Sequence, residues 1–164
     1  MDTIKSITNS STDSLCCSNC WVASFSENKK CPPELRNKYL LKKEKKIYNK
    51  GKYLLKNGEQ VSGVFCIQKG AVKIFKKGVR NKEFIMWIAG KGDVVGVNSF
   101  VNEDTYSFSA AALNETSLCF VPTHDLKILL KKKPVVFDHL MRNLCDKINF
   151  VEHRILSISK KSIK

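Results

Sequence analysis

The sequence predicts a mainly β protein: an eight-stranded antiparallel jelly roll followed by a short helix and a long dimerisation helix. Three observations lead to this fold class. Short runs rich in Val, Ile, Phe and Tyr recur from about Lys46, and glycine punctuates them at the spacing of a strand plus a turn. A short helical stretch follows, and the chain then carries an unbroken heptad pattern of apolar residues.

Length and composition set the limits of the fold. The chain has 164 residues, which fits one domain with an additional arm or helix, and its 43% hydrophobic content is enough for a core. No apolar run has the length of a transmembrane helix. The start of the chain, "MDTIKSITNSSTDSL", lacks the basic and apolar regions of a signal peptide. These features predict a cytoplasmic protein with no membrane partner.

The net charge of +14 is carried almost entirely by lysine. Arginine, the usual reader of guanine edges and the better phosphate clamp, occurs only four times. The pattern therefore favours a solvated lysine-rich surface over a dedicated nucleic-acid interface. The runs "LKKEKK" and "LKKKP" are expected to add weak, salt-sensitive attraction to DNA.

The first part of the chain divides into two regions. Residues 1–15 are polar and rich in Ser and Thr, which predicts a flexible tail. Residues 16–45 form a cysteine-bearing arm, in which "PPELRNKYLLKKEKK" is interpreted as a short helix with proline near its start.

Residues 46–133 are predicted to form the jelly-roll sensor domain. The run "FIMWIA" is apolar throughout, which is typical of a strand buried on both faces. The predicted strands lie near "KIY", "KYLL", "VFCIQ", "AVKIF", "EFIMWIA", "DVVGV", "YSFSAAAL" and "SLCFV". The domain closes with the helical stretch "PTHDLKILLKKKP", for which Thr123 is the predicted N-cap and Pro134 marks a break or the start of the next helix.

Residues 134–160 are predicted to form the dimerisation helix. Apolar residues follow one another at spacings of four and three, the pattern of a helix that pairs with another helix along its length. The alternative is a helix that lies on its own sheet, but a jelly roll needs no helix this long for its core, and a homodimer is favoured. The seam consists of Phe137, Met141, Leu144, Ile148, Val151, Ile155 and Ile158.

Three segments resemble the sensory half of Crp/Fnr-family transcription regulators: "VFCIQKGAVKIFKKG", "GKGDVVGVNSF" and "AALNETSLCFVPTHDL". The resemblance covers roughly residues 35–160. It implies a cyclic-nucleotide-binding-domain-like roll that responds to a small-molecule or redox effector. Family members continue into a winged helix-turn-helix, whereas this chain stops at Lys164. The expectation is that no DNA-binding domain is present in this chain, so that DNA would be bound only through a helix-turn-helix that it lacks.

The resemblance also indicates where an effector would bind. In relatives that bind cyclic AMP, the Gly-Asp-x-x-Gly turn leads into a ribose-binding Glu, and an Arg further on neutralises the phosphate. Val97 and Tyr106 occupy those two positions here, so cyclic nucleotide binding is not expected. Both are interpreted as packing residues, and a different effector is left open. The effector-pocket positions are Gly92, Asp93, Gly96, Val97, Tyr106 and Ser107.

Four of the seven cysteines fall between Cys16 and Cys31, and cytosolic thiols are normally reduced, so metal or redox chemistry is favoured over disulfides. The oxygen-sensing branch of the family holds an iron–sulfur cluster with arm cysteines and one cysteine of the roll. The resemblance implies the ligands Cys17, Cys20, Cys31 and Cys119, with Cys16 as a substitute. The long gap between Cys20 and Cys31 departs from the family pattern.

The alternatives for these cysteines are a zinc site, a thiol redox switch or no ligand role. Cys66 and Cys145 are interpreted as packing residues. An enzyme is not expected, because none of the histidines, His124, His139 and His153, lies on a predicted strand as a metal-dependent jelly-roll enzyme would require. The predicted function is the effector-sensing and dimerisation part of a regulator; the alternative is a stand-alone jelly-roll interaction or dimerisation module without an effector.

Overall fold

The structure is a computed structural model, and it describes residues 44–102, 104–132 and 134–161. The predictions for the tail, the arm and its cysteines Cys16, Cys17, Cys20 and Cys31 lie outside these residues. The first described residues correct one expectation. Glu44–Tyr48 is a strand and not the end of the arm's helix, because this segment pairs with Thr116–Phe120.

The described residues form eight strands, and all eight lie where the sequence predicts them. They make two four-stranded antiparallel sheets, which confirms the mainly β fold class. The first sheet has the order β1-β8-β3-β6 and the second the order β2-β7-β4-β5. The strands are β1 Glu44–Tyr48, β2 Tyr53–Leu55, β3 Gly63–Lys69, β4 Val72–Lys77, β5 Glu83–Ala89, β6 Val94–Val95, β7 Ser109–Ala112 and β8 Thr116–Pro122.

Strand β5 corrects a second expectation, since "FIMWIA" is not buried on both faces. It is the edge strand of the second sheet, and Phe84 and Ile88 are exposed. Ile74 pairs with Trp87 but Phe75 pairs with Ile85, so β5 has one extra residue, Met86, at that point. Such a bulge interrupts the alternation of side chains along a strand. The apolar composition of "FIMWIA" was therefore not enough to predict that the strand is buried on both faces.

The interior of the roll is an apolar cluster between the two sheets. Residues of the first sheet such as Phe65, Ile67 and Leu118 meet Val72 and Ile74 of the second. The burial of these side chains is the main stabilisation of the roll, because each removes most of its apolar surface from water. Alternate residues of β3 and β8 point to the other side of the first sheet.

That outer side of the first sheet carries a second apolar cluster, here called the outer-face cluster. It contains Val64, Cys66, Val94, Cys119 and Val121 from the sheet. Three helices cover this side: α1 Val97–Asn102, α2 Thr123–Lys132 and α3 Pro134–Lys161. The segment Val79–Asn81, between β4 and β5, is a turn in which Arg80 and Asn81 both have a φ of 59°. The helices contribute Val97, Leu126, Leu129, Val136 and Leu140.

The two C-terminal helices begin where the sequence predicts. Helix α2 starts at Thr123, whose hydroxyl donates to the carbonyl of Val61 at 3.3 Å. Helix α3 starts at Pro134, which lacks the backbone N–H that a first helical residue leaves without an intrahelical partner. The first turns of α3 are fixed on the roll, because Val136 and Leu140 are buried in the outer-face cluster.

We expect Gly63→Ala to destabilise the roll by about 3 kcal/mol, measured by urea unfolding. A Cβ at this position would lie 2.2 Å from the carbonyl oxygen of Val121 and 2.8 Å from the ring of Phe120. Gly90→Ala is the matched control, since a Cβ there meets nothing within 4 Å. The control should change the free energy of unfolding by less than about 1 kcal/mol. Equal losses in the two variants would contradict the close approach at Gly63.

Candidate effector site and the groove beside the long helix

An apolar groove of about 430 Å³ separates the roll from the middle of α3. The roll side includes Trp87, Val97 and Phe108. The helix side includes four residues of the predicted dimer seam, Met141, Leu144, Ile148 and Val151, and the polar residues Asn143, Lys147 and Glu152. The groove thus joins the predicted effector turn to the predicted dimer helix, two features that the sequence placed in separate parts of the chain.

The Gly-Asp-x-x-Gly turn forms one edge of this groove. Gly92 and Gly96 have positive φ angles of 90° and 99°. Residues other than glycine rarely adopt this backbone conformation. Asp93 closes the turn, because one of its carboxylate oxygens accepts from the backbone N–H of Gly90 at 2.8 Å. Its second oxygen accepts from Lys147 Nζ of α3 at 2.7 Å. One carboxylate therefore holds both the turn and the long helix.

Val97 and Tyr106, the two positions that the sequence resemblance relates to nucleotide contacts, are both buried. Val97 is 1% exposed in the outer-face cluster, and Tyr106 is 2% exposed in the interior of the roll. The Tyr106 hydroxyl donates to the carbonyl of Gly63 at 2.7 Å and accepts from its N–H at 3.2 Å. Both residues pack as the sequence analysis expected, and neither presents a charge to the groove.

Ser107, the remaining pocket position, lies in the loop before β7. Its backbone N–H donates to Ser99 Oγ at 3.2 Å, and its hydroxyl accepts from Asn98 Nδ2 at 3.4 Å. These bonds attach the loop to α1, which also lines the groove through Asn98 and Val101. Ser107 therefore helps to position α1, which lines the groove.

Helix α3 presents two different faces. Because an α-helix turns about 100° per residue, Val136, Leu140 and Lys147 form one stripe, and this stripe faces the roll. The predicted seam forms a second stripe roughly 80° further round the helix. Its members Phe137, Ile148 and Ile155 are exposed, while Met141, Leu144 and Val151 are partly buried beside the groove.

A second polar contact fixes the far part of the helix to the second sheet. Arg154 Nη1 donates to the backbone carbonyl of Met86 at 2.9 Å. Met86 is the extra residue of the β5 bulge, so its carbonyl is available where the regular ladder is interrupted. Lys147 and Arg154 are seven residues apart and lie on one stripe of α3.

The pKa of the Tyr48 phenol is raised above its ordinary value. Burial raises its pKa, and the neighbouring Tyr106 and Glu44 raise it further. In the folded protein the phenol therefore stays protonated to a higher pH than an ordinary tyrosine. The folded state holds this proton more tightly than the unfolded state. The protonated Tyr48 therefore contributes fully to the free energy of unfolding below the pKa that it has in the unfolded chain, and this contribution is lost as the pH rises through the pKa that it has in the folded protein.

The described cysteines occupy two kinds of environment. Cys66 and Cys119 are buried in the outer-face cluster, and the burial of Cys66 agrees with its predicted packing role. Cys145 on α3 is exposed, so its predicted packing role is wrong; it lies on the helix surface away from both stripes. No group of three or more His, Cys, Asp or Glu side chains gathers as a metal site within the described ranges.

The position of Cys119 relates it to the arm. Strand β1 begins at Glu44, directly after the undescribed residues, and it pairs with β8 so that Lys45 lies opposite Cys119. The chain that follows the arm therefore enters the roll beside this thiol. The three histidines all fall in helices, with His124 in α2 and both His139 and His153 in α3.

Sequence reasoning missed the contacts made by Lys147 and Arg154. Lysine is abundant throughout the chain, so nothing distinguished Lys147 from its neighbours. The heptad pattern does carry a partial signal, because both residues recur at one position of the repeat next to the seam. Of the helices in the described ranges, none has the length and apolar character needed to cross a membrane.

Comparison with known proteins places this geometry in context. Residues 45–133, more than half of the chain, match the cyclic nucleotide-binding domain family. The transcriptional activator protein Anr of Pseudomonas aeruginosa is 31% identical over 113 residues, which are 69% of this chain and 46% of the relative. The fumarate and nitrate reduction regulatory protein of Vibrio cholerae is 30% identical over 118 residues, or 72% and 47%.

A solved structure agrees with the fold. The catabolite activator protein of Thermus thermophilus superposes with a TM-score of 0.62 at 22% identity, covering 71% of this chain and 55% of that one. The chain spans about half the length of the curated relatives it matches.

We expect Lys147→Met and Asp93→Asn to be coupled in a double-mutant cycle by roughly 0.5–1 kcal/mol at low salt. Asparagine keeps an oxygen that can accept from Gly90, so the cycle reports the ion pair rather than the turn. Unfolding by urea gives the four stabilities, and the coupling should shrink as salt is added. Lys131→Met, an exposed lysine of α2, is the control and should combine additively with Asp93→Asn. Additivity at Lys147 as well would argue against this link between turn and helix.

Proposed function

The chain belongs to the cyclic nucleotide-binding domain family and is homologous to Crp/Fnr regulators, and from this premise we propose that it is the effector-sensing and dimerisation part of a Crp/Fnr-type transcription regulator. The observation that carries the proposal is the groove between the roll and α3. Four residues of the helix seam line it, so an occupant would contact the side chains that pack against a second helix.

The mechanism follows from this sharing of side chains. An effector that fills the groove contacts Leu144 and Val151, the seam residues that lie nearest to the roll-facing stripe of α3. Filling the groove favours the arrangement of the helix that it fits best, which shifts the population of dimer packings. The Asp93–Lys147 contact keeps the turn and the helix in register while this happens.

The groove favours an uncharged, largely apolar effector over a cyclic nucleotide. Among the lining residues that the structure describes, Lys147 carries the only positive charge, and Asp93 already neutralises it. A phosphate placed there would lose its hydration without gaining a cation of its own. Buried Val97 and Tyr106 supply neither the carboxylate nor the guanidinium that nucleotide recognition in the family uses.

We further propose a homodimer through the seam of α3. Ile148 and Ile155 are 57% and 61% exposed and lie two helical turns apart on one stripe. Exposed apolar residues in a sustained heptad pattern are typical of helices that pair. The roll holds the adjacent stripe of the same helix, which leaves the exposed seam residues available to a second copy.

The finer proposal is redox sensing through an iron–sulfur cluster on Cys17, Cys20, Cys31 and Cys119, with Cys16 as a substitute. Thiolate is the ligand that such clusters use, and four is the usual number. Cys119 supports it through its position, since the strand that follows the arm runs beside it. The names of several relatives refer to anaerobic regulation or to fumarate and nitrate reduction.

The alternative is an interaction module that dimerises without an effector. It predicts the same seam but no response of the dimer to oxygen or to a groove ligand. In either case we propose a cytoplasmic, non-enzymatic protein, since the relatives are named as regulators. Sequence-specific DNA binding is proposed only for a form that carries a helix-turn-helix.

The double substitution Ile148→Asp and Ile155→Asp should convert the dimer to a monomer. Two carboxylates per chain would be desolvated in an apolar interface, and the dimer dissociation constant should rise by roughly 100-fold or more. Sedimentation equilibrium gives the constant, and circular dichroism checks that the roll is intact.

A matched control exists on the same helix. Phe150 and Leu156 are 51% and 58% exposed but lie off the seam. Phe150→Asp with Leu156→Asp introduces the same charge and removes a similar apolar area, yet should leave the dimer constant within a few-fold. If both pairs dissociate the dimer equally, the seam is not the interface.

Purification without oxygen should yield about four iron and four sulfide ions per chain, with a visible absorption band that bleaches in air. Cys119→Ala should lower the iron content, whereas Cys145→Ser, at an exposed thiol outside the proposed ligand set, should retain it. Iron, acid-labile sulfide and sedimentation are measured before and after exposure to air. A dimer that is unchanged by air and free of iron would favour the interaction module.

A further inference from the structure

Two buried cysteines lie directly opposite each other in the first sheet. Cys66 of β3 pairs with Cys119 of β8, and both belong to the outer-face cluster. The sequence separates them widely, and no spacing motif connects them. We propose that Cys66 and Cys119 form a redox-active thiol pair that closes into a cross-strand disulfide on oxidation.

The ladder geometry permits the bond. Opposite residues of antiparallel strands have Cα atoms about 4.5 or 5.5 Å apart and side chains on the same face. Both separations lie within the range of about 4.4–6.8 Å that disulfides span. The register is regular from Gly63 to Ile67, and the irregularity in β3 comes only after Ile67. The two thiols therefore face each other in an undistorted part of the sheet.

The surroundings make the pair selective for small oxidants. Cys66 is 1% exposed and Cys119 is 6% exposed, beneath helices α2 and α3. A bulky disulfide reagent cannot reach them without opening the helices, but hydrogen peroxide is close to water in size. Cys119 is nearer to the surface, on the side of β1, and is expected to react first.

The chemistry balances with peroxide as the two-electron oxidant. The Cys119 sulfur, having given up its proton, attacks one peroxide oxygen; the O–O bond breaks, and the departing hydroxide takes that proton to leave as water. The resulting sulfenic acid is attacked by the Cys66 sulfur, which forms the S–S bond and releases a second water. Two thiols and one peroxide thus give one disulfide and two waters.

The location gives the bond a structural consequence. Val136 and Leu140 at the start of α3 pack in the same cluster as the two sulfurs. A disulfide removes two thiol hydrogens and fixes β3 to β8 directly under this part of the helix. The inference does not rest on the cluster proposal, but Cys119 cannot be a cluster ligand and a disulfide partner at the same time.

Peptide mapping of the full chain tests the pair. The reduced protein, treated with chelator to remove any metal, is exposed to hydrogen peroxide, alkylated and digested with trypsin. Residues 57–69 and 92–127 are tryptic peptides with one cysteine each. We expect them as a cross-linked species that separates on reduction. Cys66→Ala should abolish it, and Cys145→Ser, at an exposed thiol, should leave it unchanged.

A second measurement uses the native chain, so it does not depend on whether a cysteine variant folds. The melting temperature of the native chain should rise by roughly 5 °C on oxidation and return on reduction, because the bond constrains the unfolded chain. Two results would overturn the inference: Cys119 cross-linked to an arm cysteine, or both peptides still fully alkylated while Cys145 is oxidised. Absence of iron in the anaerobic protein would remove the cluster proposal and leave this one standing.

Discussion

The roll depends on the pair of hydrogen bonds between the Tyr106 hydroxyl and the backbone of Gly63. The phenol bonds both the N–H and the carbonyl of that residue, so the loop before β7 is held against the first residue of β3. No side chain fits at Gly63, because Val121 and Phe120 of β8 occupy the space. Gly96 also lies close to the carbonyl oxygen of Gly63, since a Cβ added at Gly96 would be 3.2 Å from that oxygen. Strand β3, the loop before β7 and the turn at Gly96 therefore meet at the backbone of one residue, Gly63.

This arrangement has a consequence for recognition. The sequence resemblance relates Tyr106 to the phosphate-binding arginine of cyclic-nucleotide-binding relatives, and here the side chain forms its hydrogen bonds within the protein. A buried hydroxyl that is already bonded contributes to stability and has nothing to offer an anion. The neighbouring turn is likewise engaged, because Asp93 bonds Gly90 and Lys147. Asp93 and Tyr106 are thus engaged within the fold, and the groove beside them is mostly apolar, with Asn98, Asn143, Lys147 and Glu152 as its polar lining.

Sequence reasoning located every strand of the described chain because turn glycines and β-branched runs are local signals. It also found both C-terminal helices, since Pro134 and the heptad repeat are local as well. It failed where the outcome depends on partners distant in sequence. The apolar run of β5 is exposed in part because the strand lies at an edge and carries a bulge. The contacts of Lys147 and Arg154, and the pairing of Cys66 with Cys119, join segments that only the folded sheet brings together.

Helix α3 contacts two features of the roll on neighbouring parts of its length. Its first turns rest on the outer-face cluster, which contains the thiol pair, and its middle borders the groove. A helix transmits a displacement along its axis and a rotation about it, because its backbone hydrogen bonds resist bending. A change under Val136 and an occupant beside Leu144 would therefore act on the same exposed stripe. Leu144 of this stripe also packs against the outer-face cluster, whereas Phe137, Ile148 and Ile155 are exposed. A shift of the helix would therefore move the exposed residues on which the proposed dimer contact depends.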